Sequence, residues 1–206
     1  MYEDFQYVDM HRAVRDTHYK WSRVNISQVQ NIVDKIKDQS DHIYTTIQKF
    51  ASSEHIDDEV ELCNLPFDFD CATDVDLARK QCVSLIDHLI AVYNIDINPD
   101  EIMVYYSGNR GFHVTIHYEV FDAQPMVSMI KVWRIVAEHL IKELKLTTAD
   151  RSVYTKRRAW RVPNTKHGKT NLYKIPLRYD ELLLEVDKIR ELAIKPAEWL
   201  NLEEVI

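Results

Sequence analysis

Residues 66–70 read Pro66-Phe67-Asp68-Phe69-Asp70, an alternation of rings and carboxylates. On an extended strand residues i and i+2 share a face, so Asp68 and Asp70 project together while Phe67 and Phe69 enter the opposite side. Two adjacent carboxylates repel, and such a pair is costly unless a cation or strong donors neutralise it. Oxygen-rich sites with spare positions suit Mg2+ or Mn2+. A strand end with solvated acids explains the same five residues, so the motif needs support from the rest of the chain.

Outward from this stretch, strands and helices alternate. The extended segment begins near residue 61. After it, Val75, Ala78, Cys82, Leu85, Ile86, Leu89 and Tyr93 fall on one helical face, with Thr73 or Asp74 as cap. Residues 102–106, the turn 107–111 and residues 112–118 predict a hairpin, and Met129, Ile130, Trp133, Val136, Ala137, Leu140 and Leu144 predict a helix over 126–145. Short strands are expected at 159–162 and 172–175, and a last helix at 181–192. Upstream, Ile26, Val29, Ile32, Val33 and Ile36 predict a helix over 26–37 capped by Asn25 or Ser27, and a β-branched, aromatic pattern predicts a strand over 42–50. The expected class is α+β, with a mixed or antiparallel sheet, because neighbouring strands are joined by tight turns. One core over 1–206 is expected, with 1–41 a helical N-terminal part and 179–206 a C-terminal helix.

The chain has 206 residues, 46% hydrophobic and 29% charged, an ordinary globular composition that suggests neither disorder nor a fibrous repeat. No apolar run approaches the roughly 18 residues that cross a bilayer. The opening MYEDFQYVDMHR lacks a signal pattern, so a cytoplasmic location without membrane association is expected. Cys63, Cys71 and Cys82 are odd in number and lack zinc-ligand spacing, which fits free thiols. The net charge of −7 hides a division: residues 151–179 carry nine Lys or Arg and no acid, a local +9 that leaves −16 on the remainder. A basic stripe on an acidic body is a footprint for phosphate, because a bound anion senses the nearby field. A solvated basic loop is the plainer account of the same segment. If the stripe carries a template, Lys156, Arg157 and Arg158 are expected along the strand's path.

Two further stretches resist ordinary packing. The chain has only three glycines, Gly108, Gly111 and Gly168, against the roughly 14 of average usage. In Ser107-Gly108-Asn109-Arg110-Gly111-Phe112-His113 two of them permit close backbone approach, while Ser107, Arg110 and His113 offer donors suited to a triphosphate. A hairpin turn explains the glycines and leaves the donors unexplained. The other stretch, 150–177, places Asp150 at the entrance of the acid-free segment holding Arg161, Lys166, His167 and Lys169. A lone acid there could be a salt-bridge partner, but beside Asp68 and Asp70 it completes a common metal count.

Taken in order, DFD at 68–70, SGNRGFH at 107–113 and the Asp150 segment resemble the three motifs of the archaeo-eukaryotic primase superfamily. The run 153–161 resembles its primase-polymerase branch, and 163–169 is similar to the small catalytic subunit of archaeal primases. The resemblance covers about 42–178; the zinc knuckle of many primase small subunits has no counterpart. It implies an RRM-like catalytic sheet beside an N-terminal α/β module. It also implies that Asp68, Asp70 and Asp150 hold two Mg2+ or Mn2+ ions, that Ser107, Arg110 and His113 contact the triphosphate, and that Arg161 and Lys166 meet phosphates or template. His167 and Lys169 are weaker candidates. The implied activity is nucleotidyl transfer from NTPs or dNTPs on a single-stranded DNA template, with or without a primer, and replicative or defence-system accessory proteins as partners. An end-joining repair polymerase and a non-catalytic RRM-like single-strand binder remain as alternatives, and the three acids distinguish them, since a pure binder has no use for carboxylates that repel phosphate.

Overall fold

A computed structural model describes residues 2–13, 20–37, 42–98 and 100–206. The strands are β1 (Tyr7–Ala13), β2 (Lys20–Asn25), β3 (His42–Thr46), β4 (Lys49–Phe50), β5 (Val60–Leu62), β6 (Leu65–Asp70), β7 (Ile102–Tyr106), β8 (Gly111–Ile116), β9 (Met126–Val127), β10 (Ala159–Arg161) and β11 (Ile175–Leu177). The helices are α1 (Val29–Ile36), α2 (Val75–Tyr93), α3 (Met129–Glu143), α4 (Tyr179–Leu182), α5 (Val186–Leu192) and α6 (Leu202–Val205). One sheet has the order β10-β3-β1-β4-β5-β9 with β2 also on β1, and the other the order β11-β7-β8-β6. The expected α+β class holds, and the paired strands are antiparallel.

The second sheet carries the acids. Its elements run β6-α2-β7-β8-α3, a split β-α-β arrangement completed by residues 148–150. That segment lies against the free edge of β6: Asp70 N donates to Thr148 O at 2.9 Å and Asp150 N to Asp68 O at 2.7 Å. Phe67 and Phe69 are fully buried beneath β6 with Leu85, Ile86, Trp133 and Leu140 of α2 and α3. Asp74 caps α2 through Leu77 N at 2.9 Å, as its sequence predicts. The opposite face of this sheet presents Met103 and Tyr105 to Val8, Met10 and Ile43 of the first sheet, so the two sheets share a second core.

Where prediction and structure differ, tertiary demands redirect the chain. The predicted strands 42–50 and 61–70 are each broken, at 47–48 and at 63–64. At the second break the chain leaves one sheet for the other, and Trp133 Nε1 bonds Cys63 O at 2.8 Å while Tyr118 N bonds Asn64 Oδ1 at 3.3 Å. The helix predicted from 126 starts at Met129 because Met126 and Val127 pair with β5. Its first turn has no local cap, and Glu61 Oε1 accepts from Ile130 N at 2.9 Å instead. The strand expected at 172–175 lies at β11, three residues on. The expected C-terminal helix is three short ones, and the expected helical N-terminal part begins with the β1–β2 hairpin. Positions 14–19 and 38–41 of that part lie outside the described residues.

Candidate active site

The acids stand where sequence places them. Asp68 pairs across the ladder with His113 and Asp70 with Gly111, so carboxylates, imidazole and the 107–110 turn share one face of the second sheet. The turn closes tightly. Gly108 takes φ +87°, and a Cβ on Gly111 would stand 2.1 Å from Phe69 O, so only glycine allows β8 this close to β6. Ser107 Oγ accepts from Asn109 N at 3.4 Å and Gly111 N at 3.3 Å. Above this face a pocket of about 330 Å3 is lined by Asp68, Asp70, Ser107, Asn109, Arg110, Gly111 and His113 from one sheet. The other wall is Tyr44, Arg158, Ala159, Trp160 and Arg161, with His167 and Lys169 from the loop beyond.

Burial, then the charges of Asp70 and Asp150, push the Asp68 carboxyl up to about 7. His113 lies in the opposite regime. Burial, together with the cations Lys174, Arg161 and Arg158, holds it well below the ordinary imidazole value, so it is neutral at pH 7. Its Nε2 is 3.6 Å from Asp68 Oδ1, its ring packs on that of Trp160 at a 35° tilt with centroids 4.2 Å apart, and its Nδ1 is buried without a hydrogen-bond partner. Arg158 Nε is a second unpartnered buried atom of the pocket wall. Trp160 Nε1 and Asp70 Oδ1 also lack a hydrogen bond, although Arg110 Nε stands 2.7 Å from that oxygen, and orphaned polar atoms gathered around one polar pocket are expected where a ligand supplies the partners.

The remaining acids are engaged. Arg110 donates to Asp70 Oδ2 from Nε at 3.0 Å and from Nη2 at 2.9 Å. Asp150 accepts from Ser152 N at 2.8 Å and Ser152 Oγ at 2.7 Å, and Arg158 Nη2 is 3.9 Å away. Among the described residues, no group of three or more His, Cys, Asp or Glu side chains is drawn together as a ready metal site. The donor chemistry nevertheless fits a hard cation. The charges of Asp70 and Asp150, which add to burial in holding the Asp68 proton, also favour a divalent cation among the three, and Arg110 and Ser152 are partners that a cation can displace.

The structure separates other predicted residues from the pocket. Lys166 lies outside it: its Nζ sits over the Tyr173 ring at 5.4 Å in a groove with Trp199, because 166 and 173 pair while 167 and 169 turn the other way. Arg161 lines the pocket but is almost buried, donating to Lys166 O at 3.0 Å and to Tyr44 Oη at 2.8 Å. The basic run is also dispersed. Arg157 is turned to Asp9 at 3.5 Å and Glu59 at 3.6 Å, and Lys156 stands 4.0 Å from Asp58.

Sequence reasoning missed Tyr44, Asn109, Arg158 and Trp160 as pocket residues, and it missed the role of Lys174. That lysine is fully buried between the Tyr105 and Trp160 rings, with Nζ donating to Arg161 O at 2.7 Å. Burial drives its ammonium well below the ordinary lysine value, and Asp68 opposes the shift. A lysine inside the apolar stretch Leu172-Tyr173-Lys174-Ile175 was the available signal.

No family model and no curated protein sequence matches the chain. Among solved structures it is similar to the polymerase domain of ligase D from Mycobacterium tuberculosis, determined in complex with DNA, at a TM-score of 0.53 and 12% identity, over 90% of this chain and 70% of that one. At that identity the likeness speaks to architecture alone: this chain is similar in fold to that polymerase domain.

Proposed function

We propose that the chain is a template-directed nucleotidyltransferase, a primase-polymerase that adds NTPs or dNTPs to a strand copied from single-stranded DNA. The observation that carries this is the pair Asp68 and Asp70 on one face of β6, lining a pocket whose other walls are cationic, with Asp150 outside the lining but tied to Asp68 through the backbone bond from Asp150 N to Asp68 O at 2.7 Å. In the reaction the hydroxyl oxygen of the growing end forms a bond to the α-phosphorus, the bond to pyrophosphate breaks, and the hydroxyl proton is released. Asp68, Asp70 and Asp150 would hold two Mg2+ or Mn2+ ions, which activate the hydroxyl and balance the triphosphate's charge.

The chain's own residues do the rest. Arg110, half-exposed at the rim, would be free to meet phosphate oxygens if a cation held the Asp70 carboxylate that it now pairs with. Lys169, His167 and Arg158 surround the same volume with donors, and neutral His113 offers a hydrogen bond without adding charge. Gly108 and Gly111 let the turn close on Leu172 and on β6, which holds Ser107 and Arg110 at the pocket's edge.

A second reading, a non-catalytic single-strand binder, is favoured by the engagement of Asp70 and Asp150 with Arg110 and Ser152. One experiment separates the two. The pure chain is incubated with single-stranded template and either nucleotide pool, with Mg2+ or Mn2+, with and without primer. Extension by wild type that is lost to below about one hundredth in Asp68→Ala, Asp70→Ala and Asp150→Ala, with template binding retained, supports the transferase. Template binding without incorporation supports the binder, and turnover by any of the three variants at the wild-type rate overturns the site. Extension across two short-overhang ends in preference to a gapless template would point to end joining.

A further inference from the structure

The outer face of the first sheet carries a row of side chains that the nucleotide pocket does not account for. Trp21 on β2 pairs across the ladder with His11 on β1, His11 with Tyr44 on β3, and Tyr44 with Arg161 on β10. Directly opposed residues of an antiparallel pair share a face, so the four form one line. Contacts confirm the line. The rings of Trp21 and His11 are 4.9 Å apart, those of His11 and Tyr44 6.1 Å, and the Arg161 guanidinium lies 4.9 Å from the Tyr44 ring centre.

The row opens into the pocket at one end and onto solvent at the other. Tyr44 and Arg161 belong to the pocket wall, while Trp21 is 40% exposed. The opposite face of these strands is the apolar one, with Val8, Met10 and Ile43 in the core. A row on the outer face is therefore not explained by the need to fill that core. The acids beside it do not repel a polyanion, since Asp9 and Glu59 are buried against Arg23 at 2.7 and 2.8 Å and approached by Arg157.

We infer that this row is a stacking track along which single-stranded nucleic acid runs from the pocket to Trp21, its bases resting on the Tyr44, His11 and Trp21 rings. Flat rings at strand spacing, about 4.8 Å between neighbouring strands, meet bases whatever their sequence, which is how single-strand binders hold a strand without reading it. At the inner end the nearly buried Arg161 guanidinium holds the Tyr44 ring in place, donating to its Oη at 2.8 Å. The inference rests on the proposed function for the strand's destination, and the test keeps the two apart.

Binding of fluorescent oligodeoxynucleotides of about 4 and about 16 nucleotides, spanning the usual range of single-strand site sizes, is measured over a salt series for wild type, Trp21→Ala, Trp21→Leu and Trp21→Phe. Trp21→Leu keeps apolar cover on the hairpin and guards against misfolding, and melting temperatures are recorded for each. The track requires Trp21→Ala and Trp21→Leu to weaken the longer strand about 5- to 100-fold, the range of one lost base stack. The shorter strand, bound at the pocket end, changes less than twofold, and Trp21→Phe retains most of the long-strand affinity. Because stacking releases no counterions, the slope of log affinity against log salt stays at the wild-type value. Unchanged long-strand affinity in Trp21→Leu overturns the track, as does equal weakening of both lengths or a flattened slope. If wild type extends primers while the Trp21 variants bind normally, only the track fails. If wild type binds neither length, the nucleic-acid reading of the pocket fails with it.

Discussion

Asp68 is the residue on which the site's electrostatics converge. Its pKa in the folded state, raised to about 7 by burial and by Asp70 and Asp150, exceeds the 3.8 of an ordinary aspartate in the unfolded chain. The folded state therefore binds more protons between about pH 4 and 7, and the contribution of Asp68 to stability declines as pH rises through that window, by at most about 4 kcal/mol. Asp68→Asn removes this penalty. In urea unfolding without divalent ions, the variant's stability relative to wild type is expected to grow by roughly 1–3 kcal/mol between pH 4.5 and 7.5. An unchanged difference would show that the carboxyl is as well solvated as in the unfolded chain. The basic run divides just as sharply at this scale. Arg158 lines the pocket, whereas Arg157 is committed to Asp9 and Glu59. Arg158→Ala is expected to flatten the single-strand salt slope by about 0.7. Arg157→Ala is expected to leave the slope alone and to cost roughly 1 kcal/mol of stability, since its half-exposed guanidinium shares those acids with Arg23. Titration of binding against salt and denaturant melts of the same two proteins decide the matter.

Among the elements, the β7–β8 hairpin is the one whose sequence admits least change. Gly111→Ala would drive a methyl group to 2.1 Å from Phe69 O, which is backbone and cannot rotate away. The strand carrying Asp68 and Asp70 must shift, so the substitution is expected to cost about 1–3 kcal/mol or more and to lower the incorporation rate by at least tenfold. Gly108→Ala combines φ +87° with a Cβ 2.9 Å from Leu172 O, and is expected to loosen the 165–174 loop that presents His167 and Lys169. Thermal melts and steady-state kinetics check both, and wild-type behaviour of Gly111→Ala would mean that β6 and β8 can separate. Most elements were legible beforehand because each is a short-range pattern: the helical period of α2 and α3, the ring-acid alternation of β6, the glycine turn of the hairpin. The exceptions share a cause. In the β1–β2 hairpin β2 breaks the apolar alternation, with Ser22 on the core face opposite Met10 and Trp21 on the outer face opposite His11, and β9 was read as the first turn of a helix because its pairing partner, β5, lies 67 residues upstream at Val60↔Val127.

For the whole molecule, the working hypothesis is that the pocket between two sheets gains a cation and becomes a single catalytic volume. A ligand that binds only the folded state stabilises it in proportion to its occupancy, by about 2.7 kcal/mol at one hundred times its dissociation constant. Mg2+ or Mn2+ is thus expected to raise the melting temperature of wild type by several degrees, and to do so far less in Asp68→Ala or Asp70→Ala. This readout is independent of turnover. Equal shifts in all three proteins would place the cation elsewhere.

The sequence by itself determined which residues must face together when they belong to one strand or one turn: Asp68 with Asp70, Phe67 with Phe69, Ser107 with the glycines that bracket Arg110. Those relations follow from backbone periods of two and from the sterics of a single turn, and they hold wherever the strand is placed. Tertiary structure alone decided which distant side chains meet. The register of β3 on β10, 117 residues apart at Tyr44↔Arg161, builds the far wall of the pocket. The turn of the 165–174 loop sends His167 and Lys169 into it and Lys166 away, and the packing of both sheets buries Lys174 behind it. A one-residue slip in any of these pairings would reverse the face of every side chain involved, and that choice is made by burial across the whole fold, which no window of sequence contains.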